Sequence, residues 1–162
     1  MLDLCELNVL RAIGDDIKRR DDLTRSYQCC NFKFTPCTAL DLESTILKTL
    51  KKFESNRIIE ITHESQGLDG YHITMTRRGF YEYLKHSGSV LETFKDLAVE
   101  LENRNLDSVT ISQKINIPQV VVCTILEEWA ENQLINIHND KSIKIRNITS
   151  HGQKFIKALL NV

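Results

Sequence analysis

The chain has 162 residues with 21 Lys and Arg against 22 Asp and Glu, a formal net charge of −1, so no global cationic excess marks a nucleic-acid binder and any such contact must come from a local patch. No apolar run has the length of a signal peptide or a membrane span, the five cysteines are odd in number, and two prolines with six glycines leave little composition for disorder. The expectation is a folded protein of a reducing, cytoplasmic compartment with no membrane partner.

In chain order, Asp3 and Glu6 have the spacing of a capping box, in which each side chain accepts a backbone N–H that the first helical turn leaves free. A helix from about Leu4 to Arg20 follows, with Leu10, Ile13 and Ile17 at helical spacing, Leu2, Cys5 or Val9 in support, and Lys18, Arg19 and Arg20 at the end that favours cations. Between Leu23 and Leu40 the composition turns strand-like, and a helical turn near Leu23–Cys29 leading into an irregular or extended connection to Thr38 is expected. The segment Asp41–Ser55 predicts a helix that buries Leu42, Ile46, Leu50 and Phe53, with Thr49, and turns Ser44, Lys48, Lys51, Lys52 and Ser55 outward. A hairpin then joins Ile58–Ile61 to Tyr71–Met75, reversing at Asp69-Gly70, where Gly supplies the positive φ of a tight turn. Thr76-Arg77-Arg78-Gly79 opens the next helix.

His86-Ser87-Gly88-Ser89 reads as a short linker. Beyond it, Ser89 and Glu92 make a second box ahead of an apolar stripe of Val90, Leu91, Phe94, Leu97, Ala98 and Leu101. Thr110 and Gln113 make a third, placing a short helix at Ile111–Ile115. Asn116-Ile117 is a turn, and Pro118 sits at the first position of a helix to Asn132, where its missing N–H costs nothing. A second hairpin joins Leu134–Ile137 to Ile143–Ile148, and Ser150 with Gln153 caps a closing helix that packs through Phe155, Ile156, Leu159 and Leu160.

The two halves are copies of one plan. Phe53 falls on Trp129, Asn56 on Asn132, Ile59 on Ile135 and Ile61 on Ile137 at an offset of 76, while Thr76 falls on Thr149 and Gly79 on Gly152 at an offset of 73. The second turn is therefore three residues shorter, and turns are where such changes are tolerated. This helix, hairpin, helix pattern resembles the winged-helix form of the helix-turn-helix fold used in tandem. The resemblance implies a mainly α protein with small antiparallel hairpins, built as domains 1–87 and 88–162, and it extends to the fold alone, which serves DNA regulators and protein-interaction subunits alike.

Cys29, Cys30 and Cys37 are three thiols in nine residues, but adjacent cysteines diverge and no C-x₂-C pair exists, so a zinc site is not expected and the thiols read as small buried hydrophobes. A metal- or redox-sensing regulator built on them is the least favoured reading. There is no Gly-rich phosphate loop, no nucleophile elbow and no H-E-x-x-H, and the five histidines are scattered. Neither catalytic residues nor a cofactor is expected.

The two helices in the recognition position differ in charge. Ser44, Lys48, Lys51, Lys52 and Ser55 correspond to Val120, Thr124, Glu127, Glu128 and Glu131. Three glutamates facing a phosphate-lined groove would be repelled. The favoured function is thus sequence-specific binding of double-stranded DNA in transcription or replication control. The first module uses Ser44 and Lys48 near base edges and Lys51, Lys52, Arg77 and Arg78 on phosphates. The second module serves protein contact or homodimerisation through an exposed Val120 with Cys123 and Thr124. The alternative is a non-catalytic protein-interaction adaptor, favoured by the near-zero net charge, which splits as 13 basic and 13 acidic side chains in residues 1–87 and 8 and 9 in residues 88–162.

Overall fold

A computed structural model describes residues 2–20, 28–32, 40–64, 71–104 and 106–161. It is mainly helical and divides after Ser87 into two compact units, each with a small antiparallel sheet. The expected turn at Asp69-Gly70, Cys37 and most of the expected helical turn near Leu23 lie outside the described residues, as do the side chains of Cys29, Cys30, Leu42 and Ser44.

The first unit contains α1 (Leu4–Arg20), β1 (Gln28–Phe32), α2 (Leu40–Ser55), β2 (Ile59–Glu64), β3 (Tyr71–Met75) and α3 (Arg77–His86). The capping box forms as expected: Glu6 N–H donates to Asp3 Oδ1 at 2.8 Å, and Asp3 N–H to Glu6 Oε2 at 3.0 Å. Leu10, Ile13 and Ile17 of α1 are buried with Leu50 and Phe53 of α2, Ile59, Ile73 and Met75 of the sheet, and Phe80, Tyr83 and Leu84 of α3. Gln28 and Cys29, expected in a helical turn, instead begin β1, which pairs antiparallel with β3. The sheet order is β1-β3-β2. Pairing with β3 agrees with the strand-like composition around Cys29, which prevails over the expected helical turn.

The second unit contains α4 (Val90–Glu102), α5 (Ser108–Ile115), α6 (Gln119–Glu131), β4 (Ile135–Asn139), β5 (Ile143–Ile148) and α7 (Ser150–Leu160). Trp129, 2 % exposed, is packed edge-on by Phe94 of α4 and Phe155 of α7 at centroid distances of 5.7 and 5.4 Å. Four helix starts differ from expectation. Ser89 makes no side-chain cap bond, and α4 starts on backbone hydrogen bonding. α5 begins at Ser108, because Asp107 accepts from the Val109 and Thr110 amides at 3.0 and 3.3 Å, ahead of Thr110. Thr149, not Ser150, caps α7. Pro118 is the N-cap of α6, one residue before the first helical position. Asp107 also forms an isolated antiparallel β-bridge with Lys144 of β5, so this sheet has the rudiment of a third strand.

The hairpins fall where the repeat puts them, and the junction around each is duplicated bond for bond. α2 ends in a Schellman motif with Arg57 at φ 55°, Arg57 N–H to Glu54 C=O and Ile58 N–H to Phe53 C=O both at 2.9 Å. α6 ends identically, with Gln133 at φ 58° and bonds of 3.0 and 2.8 Å to Ala130 and Trp129. Thr76 then donates its hydroxyl to the carbonyls of Arg57 and Ile58 while its oxygen accepts from Gly79 N–H; Thr149 does the same with Gln133, Leu134 and Gly152. The glycines are required by approach, since a Cβ on Gly79 would stand 2.1 Å from the Ile58 oxygen and one on Gly152 1.9 Å from the Leu134 oxygen.

Candidate nucleic-acid interface

α2 positions the candidate basic face. Its apolar stripe is settled by Leu50 and Phe53, both fully buried, with Thr49 at 6 % exposure. Lys48, Lys51 and Ser55, at spacings of three and four, are therefore turned to solvent together, and all three are exposed. Lys48 and Lys51 form no ion pair among the described residues. Ser44 lies one turn earlier on the same helix.

Lys52 departs from expectation. Its ammonium is hydrogen-bonded to Glu6 Oε1, a carboxylate only 4 % exposed, and so ties α2 to the start of α1. The Glu6 hydrogen bond, outweighing a smaller desolvation effect, holds the Lys52 pKa above the ordinary lysine value, and the charges of Glu6 and Asp3 add to it. Lys52 stays charged, but the Glu6 carboxylate offsets its field, so it adds less to a phosphate-binding face than Lys48 or Lys51.

The α2–β2 junction adds a residue that sequence reasoning missed. Arg57 is exposed and its carbonyl accepts the Thr76 hydroxyl at 2.7 Å, which puts it beside the start of α3. Arg77, half-buried, and Arg78, exposed, occupy the first turn of that helix, which holds no acidic residue. The macrodipole disfavours cations at this end, so helix stability does not account for two arginines there. A sequence signal for Arg57 existed, since the offset that equates Phe53 with Trp129 puts it at the helix terminus next to the Thr-x-x-Gly lock.

α6 overturns the expected protein-contact patch. Val120, Cys123 and Thr124 are 3 %, 1 % and 0 % exposed, and every residue from Gln119 to Leu126 is buried. The run Val120–Leu126 carries no charge, and a helix apolar all round is a buried one. Farther along, Glu127 and Glu128 accept from the Asn139 and Asn132 side-chain amides at 3.3 and 3.2 Å. Exposed apolar side chains of this unit lie instead on α4, where Leu91 and Val99 are 49 % and 43 % exposed, and at Leu106. Leu91 thus leaves the stripe that the sequence assigned to it.

Among the described residues no group of three or more His, Cys, Asp or Glu is arranged to hold a metal, and no helix is long and apolar enough to cross a membrane. Comparisons with protein-family models, with curated proteins and with solved structures return no match.

Proposed function

We propose that the chain is a non-catalytic cytoplasmic protein of two winged-helix units whose first unit binds double-stranded DNA in transcription or replication control. The observation that carries this reading is the set of exposed cations Lys48, Lys51, Arg57 and Arg78 on α2 and at its junction with α3. Their counterparts in the second copy are Thr124, Glu127, Gln133 and His151, without a lysine or arginine among them. At these four positions the shared plan carries cations in one copy only, as expected if they answer to a ligand and not to the fold. The β1-β3-β2 order and the hairpin following α2 support the winged-helix assignment. On this reading α2 enters the major groove, Ser44 and Lys48 face base edges, and Lys51, Arg57, Arg77 and Arg78 meet phosphates.

The test is fluorescence anisotropy of a labelled mixed-sequence duplex at several salt concentrations. Changing Lys48 and Lys51 to Ala should weaken binding and flatten the log–log salt slope by up to about two units, through loss of about 0.9 released counterions per contact. An unchanged slope removes the assignment. A protein-interaction adaptor is the second reading, favoured by the exposed Leu91 and Val99, eight residues apart and on one face of α4. It expects no duplex binding at physiological salt and loss of a partner on Leu91→Glu.

A further inference from the structure

The charges of the second unit are segregated along the chain. From Gly88 to Asp140 there are nine acidic residues and three Lys or Arg; from Lys141 to the end there are five Lys or Arg and no acidic residue. The near-balance of the half as a whole conceals this. The cationic stretch starts in the β4–β5 ribbon, where alternation along β5 buries Ile143 and Ile145 and leaves Lys144 and Arg146 exposed on the opposite face. His138, exposed on β4, is paired with Lys144 across the ladder, and Arg146 Nη2 lies 3.3 Å from its Nδ1. An arginine can only donate, so the ring nitrogen accepts and the guanidinium is held across the ribbon. Asn136 donates to Asn147 at 2.7 Å on the neighbouring pair, both exposed.

This face is cationic and rich in hydrogen-bonding groups, with Asn136, His138, Lys144, Arg146 and Asn147 all exposed. Protein interface cores are depleted of charge and enriched in aromatics, and membrane-surface elements need apolar residues to insert, so neither partner suits it. A regular polyanion does, because nucleic-acid interfaces are polar, wet and positively charged. Of the carboxylates nearby, Asp107 accepts from Ser142 and the α5 amides and also attracts Lys144, offsetting part of that charge, while Glu127 accepts from Asn139. Asp140, at the ribbon's turn, is the single acid from Ile135 to Ile148.

We infer that the β4–β5 ribbon of the second unit is a contact surface for a nucleic-acid backbone, in which Lys141, Lys144 and Arg146 neutralise phosphates while the acidic α6 of the same unit stays out of the groove. The surface stands on its own charges and does not depend on those of α2. The test compares two variants on one labelled mixed-sequence duplex across a salt series: Lys141→Gln/Lys144→Gln/Arg146→Gln in the ribbon, and Lys48→Ala/Lys51→Ala in the first unit. Trp129 fluorescence melting serves as the fold check, and Lys144→Arg as the charge-conserving control.

The expected result is a ribbon variant that folds, binds more weakly and has a salt slope shallower by up to about three units, with the control unchanged. A flattened slope in the ribbon variant alone supports the ribbon and removes the α2 reading. A ribbon variant with the wild-type slope, while the α2 variant flattens, overturns this inference and leaves the α2 reading standing. Absence of duplex binding by the wild type at low salt overturns both. Should the triple variant melt early, Lys144→Gln alone must still flatten the slope by about one unit, or the inference fails. Loss of binding to phosphatidylserine vesicles with no change on the duplex also overturns it.

Discussion

Gly152→Ala reverses the sign that helix propensity alone would give. Inside a helix Ala is better than Gly by about 1 kcal/mol. Here the new Cβ would lie 1.9 Å from the Leu134 carbonyl oxygen, and real Cβ contacts do not fall below 3.0 Å, so the start of α7 and the end of α6 must separate by more than 1 Å. That oxygen accepts both the Thr149 amide and the Thr149 hydroxyl at 3.0 Å, and a displacement of this size breaks both. At about 1 kcal/mol per bond, plus about 1–3 kcal/mol for a part-buried carbonyl left unsatisfied, the gross loss is about 3–5 kcal/mol. Subtracting the propensity gain leaves a destabilisation of about 2–4 kcal/mol. For a unit of this size that lowers Tm by on the order of 10–30 °C. The single tryptophan, Trp129, is buried in the same unit, so its fluorescence follows urea or thermal unfolding there directly. A Gly152→Ala protein as stable as the wild type, or more stable, would refute the threonine–glycine lock.

Asp107→Ala should cost about 1–2 kcal/mol as a lost N-cap, with Asn restoring most of it. Burial pushes the Asp107 carboxyl up, but the Ser142 hydroxyl, the Thr110 and Val109 amides and the Lys144 charge together pull it below the ordinary 3.8. A carboxyl depressed on folding stabilises above its unfolded value, so its contribution is lost as pH falls through and below 3.8, and the acid limb of a Trp129 stability profile should be shallower in Asp107→Asn. Lys52→Met should lower the melting temperature by circular dichroism, because the buried Glu6 carboxylate loses its partner, whereas Lys51→Met should not. Arg57→Gly should be neutral or stabilising by up to about 1 kcal/mol, since φ 55° suits Gly, while still weakening duplex binding; a clear loss of stability would contradict the junction geometry.

The parts of the fold written in local spacing were legible. Asp3 and Glu6 contact each other across one turn, and Phe53 and Trp129 mark the same point of one repeated plan, so the hairpins after them followed directly. What escaped depended on contacts made across the chain. Glu6 reaches Lys52 from 46 residues away and removes it from the candidate interface. Asp107 displaces the expected Thr110 cap through the local Val109 and Thr110 amides, and is further held by Ser142, 35 residues on. A wheel drawn for α6 implies a free side, whereas its uninterrupted apolar start is buried throughout; the run of Val120-Val121-Val122 was the available signal. The cationic ribbon was visible in the sequence only when charge is counted element by element.

The central claim, that the first unit meets DNA through α2 and its junction with α3, is tested most directly by titrating the ¹⁵N-labelled chain with a mixed-sequence duplex and following backbone amide shifts. The account expects the largest changes along Lys48–Arg57 and at Arg77–Gly79, with the α6 amides from Gln119 to Glu131 nearly unmoved. Shifts confined to α4 around Leu91 and Val99, or no shifts at low salt, would contradict it.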